Sequence, residues 1–208
     1  LDRKKVLGFD PALFNLYIIS KLKKNKNLIL KSIPINLIDK INKKKIESKF
    51  RKAFITENKH LASNDPYHKK KRILEILKLE KKQSFLTTSS ENINWLLNIR
   101  GGDSSFSPIL NCFAIFNKNE EVIHVFCNLK KISKELKNSF VAYVHFHEER
   151  NIYDYLKDNK NQILFDKNLI SVKFFEHIKK YSKRFKPIGD PIYFEKSIKT
   201  KSEINKAK

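Results

Sequence analysis

Thr88–Phe116 reads TSSENINWLLNIRGGDSSFSPILNCFAIF, and the fold turns on how this stretch is parsed. Thr88 followed three residues later by Glu91 has the form of a capping box, so a helix is expected to start here. Trp95, Leu96, Leu97 and Ile99 supply one or two apolar turns. Arg100-Gly101-Gly102-Asp103 then breaks the pattern. Two of the four glycines in the chain are spent at this break, which implies positive φ or close approach by another backbone. Ile109–Phe116 is apolar at nearly every position, the pattern of a strand covered on both faces.

Working outward, Val122–Cys127 reads as the neighbouring strand of a hairpin, with a turn over 117–120. Ser84–Thr88 is expected as a strand. Asp65-Pro66 opens an amphipathic helix over Tyr67–Lys82, with Ile73, Leu74, Ile76, Leu77 and Leu79 inward and lysines outward. On the C-terminal side a short basic helix is expected over Lys130–Lys137. Phe140–Phe146 reads as a strand, Ile152–Leu156 as part of a short helix and Gln162–Asp166 as an edge strand. Ile170, Phe174, Ile178, Tyr181 and Phe185 mark one face of a helix. A final short strand is expected near Ile188 and a helix over Glu195–Lys208. At the N-terminus, a strand over Lys5–Phe9, a helix capped by Asp10 and a strand over Leu28–Ile35 form a partial α/β unit. The expected fold class is therefore α/β, a mixed β-sheet layered with helices and preceded by that partial unit.

Composition limits the alternatives. The chain has 208 residues, 40% of them hydrophobic, enough to bury a core and unlike a disordered segment. No apolar run approaches the ~20 residues of a membrane span, and LDRKKVLGFD lacks the apolar centre of a secretion signal. Cys112 and Cys127 fall in apolar strand patterns; they leave a disulfide staple open, with two buried free thiols in a reducing compartment the better reading. The formal charge of +22 raises the alternative of a basic α/β domain that binds nucleic acid, using Lys69–Arg72, Lys43–Lys45 and Lys130–Lys131 on phosphates. The lysines are spread along the whole chain, however, and accompany abundant Asn and Ile, residues that share A/T-rich codons. Composition explains the charge better than a binding stripe does.

Trp95-Leu96-Leu97-Asn98-Ile99-Arg100-Gly101 with Asp103 and Pro108 resembles the middle domain of the aminopeptidase P (Xaa-Pro aminopeptidase) family. Gly8-Phe9-Asp10-Pro11 and Asn36-Leu37-Ile38-Asp39 resemble the end of the family's first creatinase-type domain. Asp190-Pro191, Lys196-Ser197-Ile198-Lys199 and Glu203-Ile204 resemble its approach to the catalytic domain. The resemblance implies the tail of a first domain over 1–42, a linker over 43–64, a second creatinase N-terminal-like domain over 65–189 and a lead-in helix over 190–208. With Leu1 at one end and an uncapped helical pattern at the other, a piece of a longer protein is expected.

The resemblance further implies a cytoplasmic metallopeptidase whose ligands, two Asp, one His and two Glu holding two Mn-type divalent ions, belong to a further domain. No catalytic and no metal-binding residue is expected within this chain. Its partners would be the catalytic domain of the same chain, a peptide substrate and possible second copies in a homodimer, with no specific nucleic acid and no membrane. Trp95, Arg100, Gly101, Gly102 and Asp103 are the candidate residues, forming either the border of a substrate cleft or a structural loop in which Arg100 and Asp103 pair.

Two other clusters are weaker. His145, His147, Glu148 and Glu149 end a strand, and with His124 they invite a zinc reading, but a polar strand end accounts for them, since zinc takes three or four convergent protein ligands. Ser104, Ser105 and Ser107 lie near Asp103 without a histidine or a nucleophile-elbow pattern, so they read as turn residues satisfying backbone groups.

Overall fold

The computed structural model describes residues 4–42, 51–56, 65–117, 120, 122–182 and 184–208. A small N-terminal unit consists of β1 (Lys5–Phe9), α1 (Leu16–Leu22) and β2 (Leu28–Ser32), with β1 parallel to β2. Its helix starts later than Asp10. The Asp10 carboxylate accepts from the Ala12 amide at 2.8 Å in a turn, and Asn15 caps the helix by accepting from Ile18. The short helix α2 (Leu37–Ile41), capped by Asn36, follows.

The larger unit contains β3 (Phe54–Ile55), α3 (Pro66–Leu77), β4 (Gln83–Thr87), α4 (Ser90–Leu97), β5 (Ile99–Arg100), β6 (Cys112–Asn117) and β7 (Ile123–Cys127). A 3₁₀ turn at Leu129–Lys131 leads to α5 (Lys134–Phe140), β8 (Val144–Glu148), α6 (Ile152–Asp158), β9 (Gln162–Phe165), α7 (Val172–Tyr181) and β10 (Phe185–Pro187). The chain continues into α8 (Pro191–Ser197) and α9 (Lys201–Ala207).

Six strands form a mixed sheet in the order β10-β9-β4-β6-β7-β8. The β4–β6 and β6–β7 pairs are antiparallel, and the other three are parallel. The expected mixed sheet, the β6–β7 hairpin and the central place of β6 are all present. Alternation along the strands sends Phe85, Ala114, Phe116 and Val125 to one face, against Ile93, Leu96 and Leu97 of α4 and Leu136 and Phe140 of α5. Leu86, Ile115, Phe126 and Phe165 face the other way, against Ile152 and Leu156 of α6 and Phe174 and Ile178 of α7. Two covered faces account for the unbroken apolar run of β6.

Several expectations are corrected. β9 is interior, between β4 and β10. Phe140 closes α5, and β8 begins only at Val144 after a three-residue turn. Phe185 belongs to β10 rather than to the α7 face. The Glu195–Lys208 helix is two helices, because a second start signal intervenes: Thr200 accepts from the Glu203 amide while Glu203 accepts from the Thr200 amide, a capping box. Helix α3 stops at Lys78, which adopts a left-handed conformation with φ 43°. It buries Ile73 as expected, with Leu74 and Leu77 packed against the core, but it also buries Lys69 and Lys70 and leaves Ile76 exposed. The expected linker over 43–64 and the turn over 117–120 lie partly outside the described residues. Within the former, Ala53 is buried in the main core, and β3 pairs antiparallel with β5.

Candidate functional site

Helix α4 is capped by Ser89, whose hydroxyl accepts from the Asn92 amide at 3.3 Å. Thr88, the expected cap, instead donates its hydroxyl to the Leu169 carbonyl. The helix ends at Asn98, which takes a left-handed turn with φ 53° and sends the chain into β5. From Gly101 the loop folds back on itself: the Gly101 amide donates to the Pro108 carbonyl at 3.2 Å and the Asp103 amide to the Ile109 carbonyl at 2.9 Å.

Among the described residues no glycine has positive φ; the glycines here serve close approach. A Cβ on Gly101 would lie 2.8 Å from the Leu110 backbone, and one on Gly102 would lie 2.7 Å from the Arg51 side chain. Asn94, within α4, anchors the returning limb. Its side chain donates to the Leu110 carbonyl at 2.8 Å and accepts from the Leu110 amide at 3.0 Å.

Arg100 and Asp103 do not pair. Asp103 forms a buried ion pair with Lys131 of the 3₁₀ turn and accepts from the Asn111 amide at 2.7 Å. The Arg100 guanidinium donates to the Ile99 carbonyl at 2.8 Å, and partial burial lowers its pKa. The Lys69 ammonium sits 4.3 Å over the Trp95 ring and donates to the Trp95 carbonyl at 2.8 Å and the Asn98 side chain at 2.5 Å. Its pKa is lowered to about 8, chiefly by burial, with Glu203 and Asp65 opposing that effect and Arg100 adding to it.

Trp95 separates two recesses. One, of about 280 Å³, is bordered by Trp95, Arg100, Pro108 and Lys196. The other, of about 700 Å³, lies between α3 and the α8–α9 segment and includes Lys69, Arg72, Glu195 and Lys199. An Arg72–Glu195 ion pair spans it, and the Lys196 ammonium reaches the Asn92 side chain at 3.1 Å. The Trp95–Asp103 loop therefore lies on the side from which the C-terminal helices leave. Sequence reasoning brought together Trp95, Arg100, Gly101, Gly102 and Asp103, but it missed Lys69, Asn94, Lys131 and Lys196. The α3 periodicity carried a signal for Lys69, since it lies one turn before the inward Ile73.

The histidines form a different arrangement. Glu120 accepts from His124 Nε2, and His124 Nδ1 lies 3.0 Å from His147 Nε2, so both nitrogens of His124 are engaged. Burial lowers the His147 pKa, with His124 and His145 adding to the effect. Among the described residues no three His, Cys, Asp or Glu side chains are placed to hold a metal ion. A dinuclear metal site therefore does not fit the described residues. Of the basic residues considered for phosphate binding, Lys69, Lys70 and Lys131 are buried, Lys71, Arg72 and Lys130 are exposed, and Lys43–Lys45 lie outside the described residues. No helix among the described residues is long and apolar enough to cross a membrane.

Comparisons with known proteins agree with this geometry. The crystal structure of X-prolyl aminopeptidase from Caenorhabditis elegans, described as a cytosolic enzyme with a di-nuclear active site, superposes with a TM-score of 0.82 at 21% identity. The match covers 99% of this chain and 34% of that one. By sequence, Xaa-Pro aminopeptidase app-1 of C. elegans is 28% identical over 76% of this chain and 26% of its own length. Xaa-Pro aminopeptidase 1 of Dictyostelium discoideum is 26% identical over 98% of this chain and 34% of its own. The chain thus spans about a third or less of the length of these relatives. The family model for the Creatinase/Prolidase N-terminal domain matches residues 44–203, and the chain belongs to that family.

Proposed function

We propose that this chain is the non-catalytic N-terminal and middle region of an Xaa-Pro aminopeptidase-like metallopeptidase, in which it shapes substrate access. The observation that carries the reading is the shared recess. Trp95, Arg100 and Pro108 border the same 280 Å³ hollow as Lys196, on the segment leading out of the fold. A domain following α9 would meet this hollow, and the two together would form a cleft. The loop, pinned by Asn94 and by the Asp103–Lys131 pair, would set the width of that cleft, and the Arg100 guanidinium would meet the carbonyls of an entering peptide.

In this reading residues 1–42 are the tail of a first domain, 65–189 a second domain and 190–208 the lead-in to the catalytic one. Two divalent ions of Mn type would be held by that catalytic domain and would supply an activated water. The intact protein would work in the cytoplasm on peptides with proline in second position, with dimerisation as a further role of these domains. In the intact protein, Arg100→Ala should raise KM for Xaa-Pro peptides several-fold with little loss of stability. An unchanged KM with a lowered Tm would make the arginine purely structural. The 208-residue chain alone should show no Xaa-Pro cleavage with added Mn²⁺, and turnover by it would overturn the proposal.

A further inference from the structure

Cys112 and Cys127 stand directly opposite each other where β6 runs antiparallel to β7. Opposed residues share a sheet face, and both side chains enter the same core cluster as Ala114 and Val125. Antiparallel partners alternate between pairs that exchange backbone hydrogen bonds and pairs that do not. Cys112 is of the second kind. Its amide donates to the Ser90 hydroxyl at 3.0 Å, and its carbonyl accepts from the same hydroxyl at 3.1 Å. Both polar groups therefore point away from β7. Such pairs have Cα atoms about 4.5 Å apart and their side chains closest together, inside the span of roughly 4.4–6.8 Å that a disulfide bridges.

We propose that Cys112 and Cys127 are an oxidisable dithiol, a modification site whose oxidised form is a cross-strand disulfide joining β6 to β7 beneath the Arg100–Leu110 loop. The oxidant is a small disulfide of the glutathione type. One cysteine thiolate attacks it, forming a mixed disulfide and releasing one glutathione thiolate. The second cysteine thiolate then attacks the protein sulfur of that mixed disulfide and releases the other glutathione. Two protein thiols are oxidised, one small disulfide is reduced to two thiols, and the two cysteine protons pass to solvent or to the leaving thiolates.

Both thiols are free and buried. Burial raises both pKa values, that of Cys127 to about 12, so exchange waits for an opening of the chain. The pair is the last rung of the β6–β7 ladder, so the opening it needs begins at the end of that ladder. The site also reaches the loop. The Asn94 amide that holds the Leu110 carbonyl lies 3.7 Å from the Cys112 sulfur, so drawing that sulfur toward β7 changes the group that pins the loop.

The test is equilibration of the purified chain in a glutathione redox buffer through a cycle of urea and dilution, which removes the barrier of burial. Free thiols are then alkylated, and the intact chain and its peptides are weighed. The expected result is loss of two hydrogens, a Cys112–Cys127 cross-linked peptide and retention of the bond in the refolded chain, with native Trp95 fluorescence. Cys127→Ser under the same conditions should instead take up glutathione on Cys112 or stay reduced, with no internal crosslink. Two alkylated cysteines at every oxidant ratio overturn the proposal. So does a mixed disulfide that never closes, or a crosslink present in urea and lost on refolding.

Discussion

Replacing Asp103 with alanine removes the counter-charge of a buried lysine. The side chains of Lys131 and Asp103 are 10% and 6% exposed, so water replaces little of what is lost. Removing one member of a buried pair costs about 3–5 kcal/mol, because the other charge stays behind without compensation. The orphaned Asn111 amide lies at an exposed position and adds at most ~1 kcal/mol. Lys131 has a long stem and can carry its ammonium part of the way to solvent, which argues for the lower end, about 3 kcal/mol. For a chain of 208 residues, each kcal/mol moves Tm by roughly 2–4 °C, so Asp103→Ala should melt about 6–12 °C lower. Urea unfolding gives the free energy directly. The companion variant, Asp103→Leu with Lys131→Met, removes both charges and should recover most of the loss, since apolar replacement of a buried pair is often near neutral. If Asp103→Ala costs less than ~1 kcal/mol, or the double variant is as unstable as the sum of its parts, the pair does not hold the loop and the reasoning fails.

Gly101→Ala places a Cβ 2.8 Å from the Leu110 backbone, which cannot yield as a side chain can, and should cost about 1–3 kcal/mol by urea titration. Gly102→Ala would bring a Cβ 2.7 Å from Arg51 Cδ and 2.8 Å from Arg51 Cβ, and since that Cβ is fixed to the backbone the cost should be of the same order. Asp190 accepts from Thr87, Asn92 and the Ile192 amide while capping α8, so Asp190→Ala should lose roughly 2–3 kcal/mol by the same assay. Lys69 sheds its proton near pH 8 when folded and near 10.5 when unfolded. The unfolded state then holds more protons between those values, so the wild-type chain should gain stability relative to Lys69→Met as pH rises through that window, by roughly 1 kcal/mol per pH unit at most. A difference independent of pH would place that ammonium in water.

Much of the fold was legible because alternation and apolar runs report local burial. The run over Ile109–Phe116 and its return over Val122–Cys127 specify a two-sided sheet and its hairpin, whatever lies between. The glycine pair of the loop was also legible as a demand for space. What periodicity does not carry is the identity of a distant partner. Asp103 pairs with Lys131, 28 residues away, rather than with the nearby Arg100. Thr88 has the composition of a cap, but its hydroxyl goes to Leu169, which leaves the role to Ser89. Lys69 and Lys70 were placed outward on charge alone, yet long apolar stems let a lysine lie inward when carbonyls or aromatic rings meet its head. The break between α8 and α9 is written in the sequence as Thr200 and Glu203, inside a stretch whose spacing otherwise reads as one helix.

The small N-terminal unit meets the larger one through main chain as well as side chains. Asn15 forms a bridge with Ser171, Leu16 donates to Ile170, and Val172 donates to Phe14. Peptide groups impose direction where greasy contacts only impose proximity, so this seam behaves as a welded elbow and not as a ball joint. Sequence drift on the outer surface of the small unit should leave its tilt alone, whereas a proline at position 16 or 172 would delete a donor from the weld and let the angle wander. Any groove that relies on both units for its walls inherits its alignment from those few amides.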